Sequence, residues 1–128
     1  MAEADKLRQF VDSECWAVVG ATPRRDKFGN ITFRELVRRG KRVYPVNPKA
    51  AEVEGVACYP DLASLPECVD CVLMVVPPKQ GEEVVKQAKE SGIGRVWFQP
   101  GAESSEALDY CREHGLEAVS GRCILHTR

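Results

Sequence analysis

No hydrophobic run in this sequence is long enough to cross a bilayer: the longest, Cys71–Pro78, falls far short, and Met1–Gln9 is polar and of mixed charge. Neither a membrane segment nor a secretory signal is expected, and the protein is placed in the cytoplasm. Aromatics make up 7% of residues, and only Phe28, Phe33 and Tyr44 lie near the main cluster of cations. That interleaving is too thin for a nucleic-acid surface. Histidine is scarce too: His114 falls at a predicted helix end, where it would cap carbonyls, and His126 lies in the tail, so no catalytic role is expected of either. A second Cys-x-x-Cys to accompany Cys68–Cys71 is missing, so no zinc site is expected. Because Cys71 opens a predicted strand instead of a helix, packing is the expected role of this pair over redox chemistry. The six cysteines sit mostly in apolar, strand-like runs and are read as reduced thiols.

What is present describes an ordinary globular chain. At 128 residues, 44% hydrophobic and 29% charged, residues 1–128 are expected to form a single domain burying roughly two-thirds of the unfolded chain's surface. The net charge of −1 hides an asymmetry. Nine cations (Arg24, Arg25, Lys27, Arg34, Arg38, Arg39, Lys41, Arg42 and Lys49) fall between Arg24 and Lys49, against only Asp26 and Glu35. A positive field of this kind favours an anionic partner.

Apolar periodicity alternates between buried-strand runs and helical spacing, which predicts an α/β fold: a three-layer, Rossmann-like arrangement with a mainly parallel central sheet. Strands are predicted at Trp16–Val19, Arg42–Val46, Cys71–Val76, Arg95–Phe98 and Glu117–Val119, with a short one near Val56–Cys58. Helices are predicted over Met1–Val11, Asn30–Arg39, Lys79–Ser91 and Ser104–His114, with Asn30 starting the second and Ser104 or Ser105 capping the last. Glu82, Glu83, Glu103 and Glu106 are read as first-turn carboxylates complementing helix dipoles, and Trp16 and Trp97 as core.

In such a sheet, ligand groups gather at the carboxyl ends of the strands. Four turns follow those ends: Gly20-Ala21-Thr22-Pro23, Asn47-Pro48-Lys49, Pro77-Pro78-Lys79 and Gln99-Pro100-Gly101-Ala102. All four are expected along one edge. The first turn offers backbone N–H groups, the Thr22 hydroxyl and a following helix start to a phosphate. It lacks the second and third glycines of a G-x-G-x-x-G fingerprint, and an ordinary strand-to-helix turn without ligand remains the alternative. The second strand ends in Lys49 where an NAD site would carry an acidic residue, which suits a ribose phosphate instead. Arg24, Arg25 and Lys27 are proposed from charge and proximity alone, a solvated loop being the alternative. Cys123, near the same edge, is either packed in the interior or placed to form a mixed disulfide with a ligand thiol.

The ordered set V-V-G-A-T, Y-P-V-N-P-K, V-L-M-V-V-P-P, V-W-F-Q-P-G-A and G-R-C-I-L resembles the small stand-alone CoA-binding proteins, which are similar to the amino-terminal domain of the succinyl-CoA synthetase α subunit. The resemblance runs from Cys15 to Leu125. It implies coenzyme A as ligand, with the phosphate turn on Gly20, Ala21, Thr22 and Pro23, the post-strand lysine on Lys49, and the central strand exit on Val76, Pro77 and Pro78. Arg24 is added to these candidate ligand residues from its charge and proximity to the turn, since it matches no fixed position of the family. The phosphorylatable histidine of the synthetases lies in a further domain absent from this sequence.

The expected function is thus non-catalytic binding of coenzyme A or an acyl-CoA through its nucleotide phosphates, with no catalytic residue and no metal. Two alternatives stand beside it: an NAD(P)-binding oxidoreductase or redox sensor, and a CoA-dependent ligase component completed by a partner chain. The only partner expected from the residues themselves is the small-molecule ligand, with neither nucleic acid nor membrane.

Overall fold

Short apolar runs rich in β-branched residues favour extended pairing, and five of them assemble side by side. The computed structural model describes residues 3–127. In chain order these form α1 (Glu3–Val11), β1 (Cys15–Val19), α2 (Phe28–Arg38), β2 (Arg42–Val46), β3 (Glu52–Val53), β4 (Val56–Ala57), β5 (Cys71–Met74), α3 (Pro78–Glu90), β6 (Arg95–Phe98), α4 (Ser105–Glu113) and β7 (Glu117–Val119). Two 3-10 turns, Leu62–Ser64 and Ile124–His126, complete the chain. The main sheet runs β2-β1-β5-β6-β7 and is parallel throughout, as in a Rossmann-like fold.

Alternation along the strands divides the interior into two layers. Ala17, Val19, Val72, Met74, Val96 and Phe98 pack on α3 and α4 through Val85, Ala88, Ala107 and Cys111. Trp16, Val18, Cys71, Leu73 and Trp97 pack on the other face with Phe10 of α1, Phe33 and Leu36 of α2, and Ile124. Both tryptophans are fully buried, as expected.

Several boundaries differ from expectation for local reasons. The central strand stops at Met74, two residues before Val76, because Pro77 and Pro78 impose a turn and Pro78 opens α3. Helix α2 starts at Phe28 from a Lys27 N-cap with no side-chain cap bond; Asn30 lies within it, and its side chain points inward. Val56 pairs antiparallel with Val53 in a hairpin apart from the main sheet. Ser104, not Ser105, caps α4 by accepting the Ala107 N–H at 3.0 Å. Of the four predicted first-turn carboxylates only Glu106 holds that position, since α3 begins well before Glu82 and Glu103 precedes the α4 cap. Along α2, Phe33 and Leu36 are buried whereas Val37 is 48% exposed. Met1 and Ala2, predicted within the first helix, lie outside the described residues.

Two glycines fix how β1 hands over to α2. At Gly20, with φ 102°, an added Cβ would lie 2.3 Å from the Val75 carbonyl oxygen; at Gly29 it would lie 2.0 Å from the Gly20 oxygen. The helix start thus rests on the backbone of the strand exit, an approach that only glycine permits. Farther along α2, Glu35 accepts from Arg38 and from Arg39, whose Nη2 also donates to the Ile124 carbonyl at 2.8 Å. These bonds, Arg38's first, lower the Glu35 pKa to about 2 and tie the carboxyl-terminal turn to α2.

Gly20→Ala and Gly29→Ala should each lose at least about 2 kcal/mol in urea unfolding. Gly94→Ala, which meets nothing within 4 Å, should be nearly neutral. Because the folded pKa of Glu35 lies below its ordinary 4.5, its contribution is complete above about pH 4.5 and falls away as pH drops toward 2. The stability gap between wild type and Glu35→Gln should therefore narrow between pH 7 and pH 3 in urea titrations at both values.

Candidate functional site

All five strands of the main sheet point the same way, so their carboxyl ends form one edge, and the turns that follow them line two clefts there. The first turn has its carbonyls held from behind: Asn47 Nδ2 donates to the Ala21 oxygen at 2.8 Å, and Asn30 Nδ2 to the Thr22 oxygen at 2.8 Å. A peptide carbonyl and the following N–H point in opposite directions, so the Asn47 bond turns the Thr22 N–H away from Asn47. The N–H groups of Ala21 and Thr22 meet no backbone acceptor among the described residues, whereas the Gly20 N–H is already engaged by the Val46 oxygen at 3.0 Å. The Thr22 hydroxyl accepts the Arg24 N–H at 3.3 Å. Beside these groups stands the uncapped amino end of α2. Free donors and a helix dipole are the groups with which backbone binds anions.

The first cleft, about 400 Å³, lies between β1, β2 and α3. Gly20, Asn47, Pro48, Lys49 and Val76 line it, with Pro60, Asp61 and Leu62 opposite. Lys49 is exposed, and its N–H donates to Asn47 Oδ1 at 2.8 Å, which makes Asn47 a brace for both turns. The second cleft, about 300 Å³, is lined by Phe28, Val75, Val76, Pro77, Pro100 and Cys123. Val76 faces both, so the strand exit is the wall between them. Phe28 is 61% exposed at its mouth.

Residues 14–128 match the profile of a family described as "CoA binding domain". The chain belongs to that family. Among curated relatives, this CoA-binding domain is 33% identical over 118 residues to an ADP-forming acetate–CoA ligase from Archaeoglobus fulgidus, covering 84% of this chain and 17% of the ligase. The domain spans less than a third of the ligase and ligase-subunit relatives first matched. Solved structures include a conserved hypothetical protein from Pyrococcus furiosus, 45% identical, with a TM-score of 0.84 over 88% of this chain and 97% of that one. A hypothetical protein from Pyrococcus horikoshii is 36% identical, with a TM-score of 0.92 over 98% of this chain and 88% of that one.

The residues read from sequence fall into three groups in this CoA-binding domain. Gly20, Lys49 and Val76 line the first cleft, and Val76 and Pro77 the second. Ala21, Thr22, Pro23, Arg24 and Pro78 line neither. The Ala21 side chain is fully buried, so only its backbone is available to a ligand, and Pro78 serves as the first residue of α3. Arg25 pairs with Glu54 at 3.4 Å, leaving Arg24 and Lys27 as the loop cations with no ion pair among the described residues. Gly29, Asn30 and Asn47 were missed as braces of the turn. The short range of the sequence hid them: Gly29 stands nine positions after Gly20, beyond the fingerprint spacing, and the asparagines act across the fold.

The cysteines are all free. Cys123 is half-buried in the second cleft, where buried Gln99 donates Nε2 to its sulfur at 3.3 Å and accepts the Ile124 N–H on Oε1 at 2.8 Å. Cys68 and Cys71 divide: Cys71 is buried beside Ser13, while Cys68 is exposed, its sulfur 3.5 Å from the Ser91 oxygen. Burial pushes the Cys71 thiol up to about 12 and that of Cys111 to about 11. His114 Nδ1 lies 3.0 Å from the Tyr110 oxygen at the end of α4, the expected capping position. No group of three or more His, Cys, Asp or Glu residues among those described is arranged to hold a metal.

A disulfide reagent at pH 8, with labelled sites mapped by mass spectrometry, should modify Cys68 first and then Cys123 and Cys58. Cys15, Cys71 and Cys111 should react only after unfolding, because the thiolate is the nucleophile and burial disfavours it.

Proposed function

We propose that this CoA-binding domain holds coenzyme A or an acyl-CoA by its nucleotide phosphates and performs no catalysis of its own. One observation supports this reading: the Ala21 and Thr22 N–H groups, with no backbone acceptor, directly follow Gly20, which shares the first cleft with Lys49, while the uncapped α2 opens at Phe28 on the second cleft. Coenzyme A carries a pyrophosphate and a separate ribose 3′-phosphate on one adenosine. The turn supplies donors and positive dipole for the pyrophosphate, with the Thr22 hydroxyl as a further partner and Pro23 and Arg24 completing the loop. Lys49 supplies a point charge for the 3′-phosphate.

The adenosine is assigned to the first cleft, whose walls include Val46, Pro48, Pro60 and Leu62. The Val76-Pro77-Pro78 exit then guides the pantetheine arm toward the second cleft. Its apolar lining and the Cys123 thiol suit a thiol or short thioester end. A second reading is favoured by the similarity, 28% identity over 129 residues, to the alpha subunit of an ADP-forming acetate–CoA ligase from Pyrococcus furiosus, which supports a ligase component that works with a partner chain.

Titration calorimetry with coenzyme A, dephospho-CoA, NADP and NAD tests the ligand. Lys49→Ala should weaken coenzyme A by about tenfold, the scale of one charged hydrogen bond, and leave dephospho-CoA nearly unchanged. Equal losses for both would remove Lys49 from the 3′-phosphate, and binding of NADP alone would replace the ligand. Co-purification of a ligase subunit with the native protein would favour the second reading.

A further inference from the structure

We infer that Glu54, at the tip of the β3–β4 hairpin, is a positioning residue for the phosphate loop Thr22–Lys27, an inference that rests on the ligand reading above. Glu54 is the only non-glycine with positive φ (51°) among the described residues, and Gly55 follows at 78°. Two consecutive positive values between the paired Val53 and Val56 are the pattern of a type I′ turn, where asparagine followed by glycine fits the backbone best. A glutamate therefore stands in a conformation that disfavours it, and its carboxylate has a use.

That carboxylate reaches across to α2 and the loop. Glu54 Oε2 accepts from Asn30 Nδ2 at 3.1 Å and lies 3.4 Å from Arg25 Nε. The same Asn30 nitrogen donates to the Thr22 oxygen at 2.8 Å, so both amide hydrogens are engaged. Asn30 Oδ1 accepts from Arg34 Nε at 2.6 Å, and Arg34 Nη2 donates to the Arg25 oxygen at 3.1 Å. Glu54, Asn30, Arg34 and Arg25 thus close a ring around the loop, with Thr22 attached to it through its carbonyl.

The hairpin is a firm base for this reach. Val53 is fully buried in the layer that holds Trp16 and Phe33, and Tyr59, shortly after β4, bridges to Val46 of β2. With the loop ordered before ligand arrives, less conformational entropy opposes binding. Arg25 is occupied as a strut of the loop, so the ligand-facing charge rests with Arg24, Lys27 and Lys49.

The test compares Glu54→Asn, which suits the turn but is too short to reach Asn30, with Glu54→Gln, which keeps an acceptor at full length. Glu54→Asn should melt no lower than wild type yet bind coenzyme A about 5- to 10-fold more weakly in calorimetry, the scale of one lost hydrogen bond. Trypsin should cut it several-fold faster after Arg24, Arg25 and Lys27 in the absence of ligand. Glu54→Gln should retain most of the affinity and the protection. Wild-type affinity and cleavage rate in Glu54→Asn would overturn the inference, as would tighter binding by both variants, which would mark Glu54 as a repelling charge. If wild type itself fails to bind coenzyme A, the ligand reading falls, while the tryptic comparison still decides the bracing role.

Discussion

The contact on which the site depends is one of backbone on backbone. Val75 lies behind Gly20, and Gly29 lies on the Gly20 carbonyl, both so close that no side chain fits between them. This stacking sets the strand exit, the first turn and the start of α2 in one compact unit. It explains how a chain without the glycine-rich fingerprint still brings a helix amino end against a strand-end turn. The fingerprint solves the problem with closely spaced glycines; here the second glycine comes after a loop that has room for Thr22 and three cations. The cost is a longer loop that must be held by other means.

Side-chain amides do that holding. Asn47 reaches from β2's exit to the Ala21 carbonyl, which sets the direction of the Thr22 N–H, and Asn30 reaches back from α2 to the Thr22 carbonyl, which fixes the Thr22–Pro23 unit, one without an N–H. Glutamates engage several of the cations that the composition concentrates in this part of the chain. Glu35 holds Arg38 and Arg39, Glu67 holds Arg42 and Tyr44, and Glu54 holds Arg25. The uneven charge that first suggested an anionic partner is therefore only partly directed at one. Much of it fastens α2 and β2 to their neighbours, and Lys49 stands out because its charge borders a cleft.

The second constraint is the rigid exit of β5. Pro77 and Pro78 end the strand and begin α3 within two residues, which leaves Val76 standing between two clefts. Relatives within the CoA-binding family include ligases several times longer than this chain.

The α/β class, the parallel order of the strands, the turn at Gly20 and the family were legible in the sequence, because buried strands, amphipathic helices and strand-end glycines are written in short-range patterns. Lys49 and Val76 were legible as strand-exit residues for the same reason. Only the tertiary structure decided that Asn30 is a brace and not a helix start, that Gly29 is required, that Arg25 is tied to Glu54, and that Pro78 belongs to a helix instead of a cleft. Each of these depends on what a residue meets across the fold. Periodicity records whether a side chain faces inward, but the atom it meets there is set by segments far away in the chain.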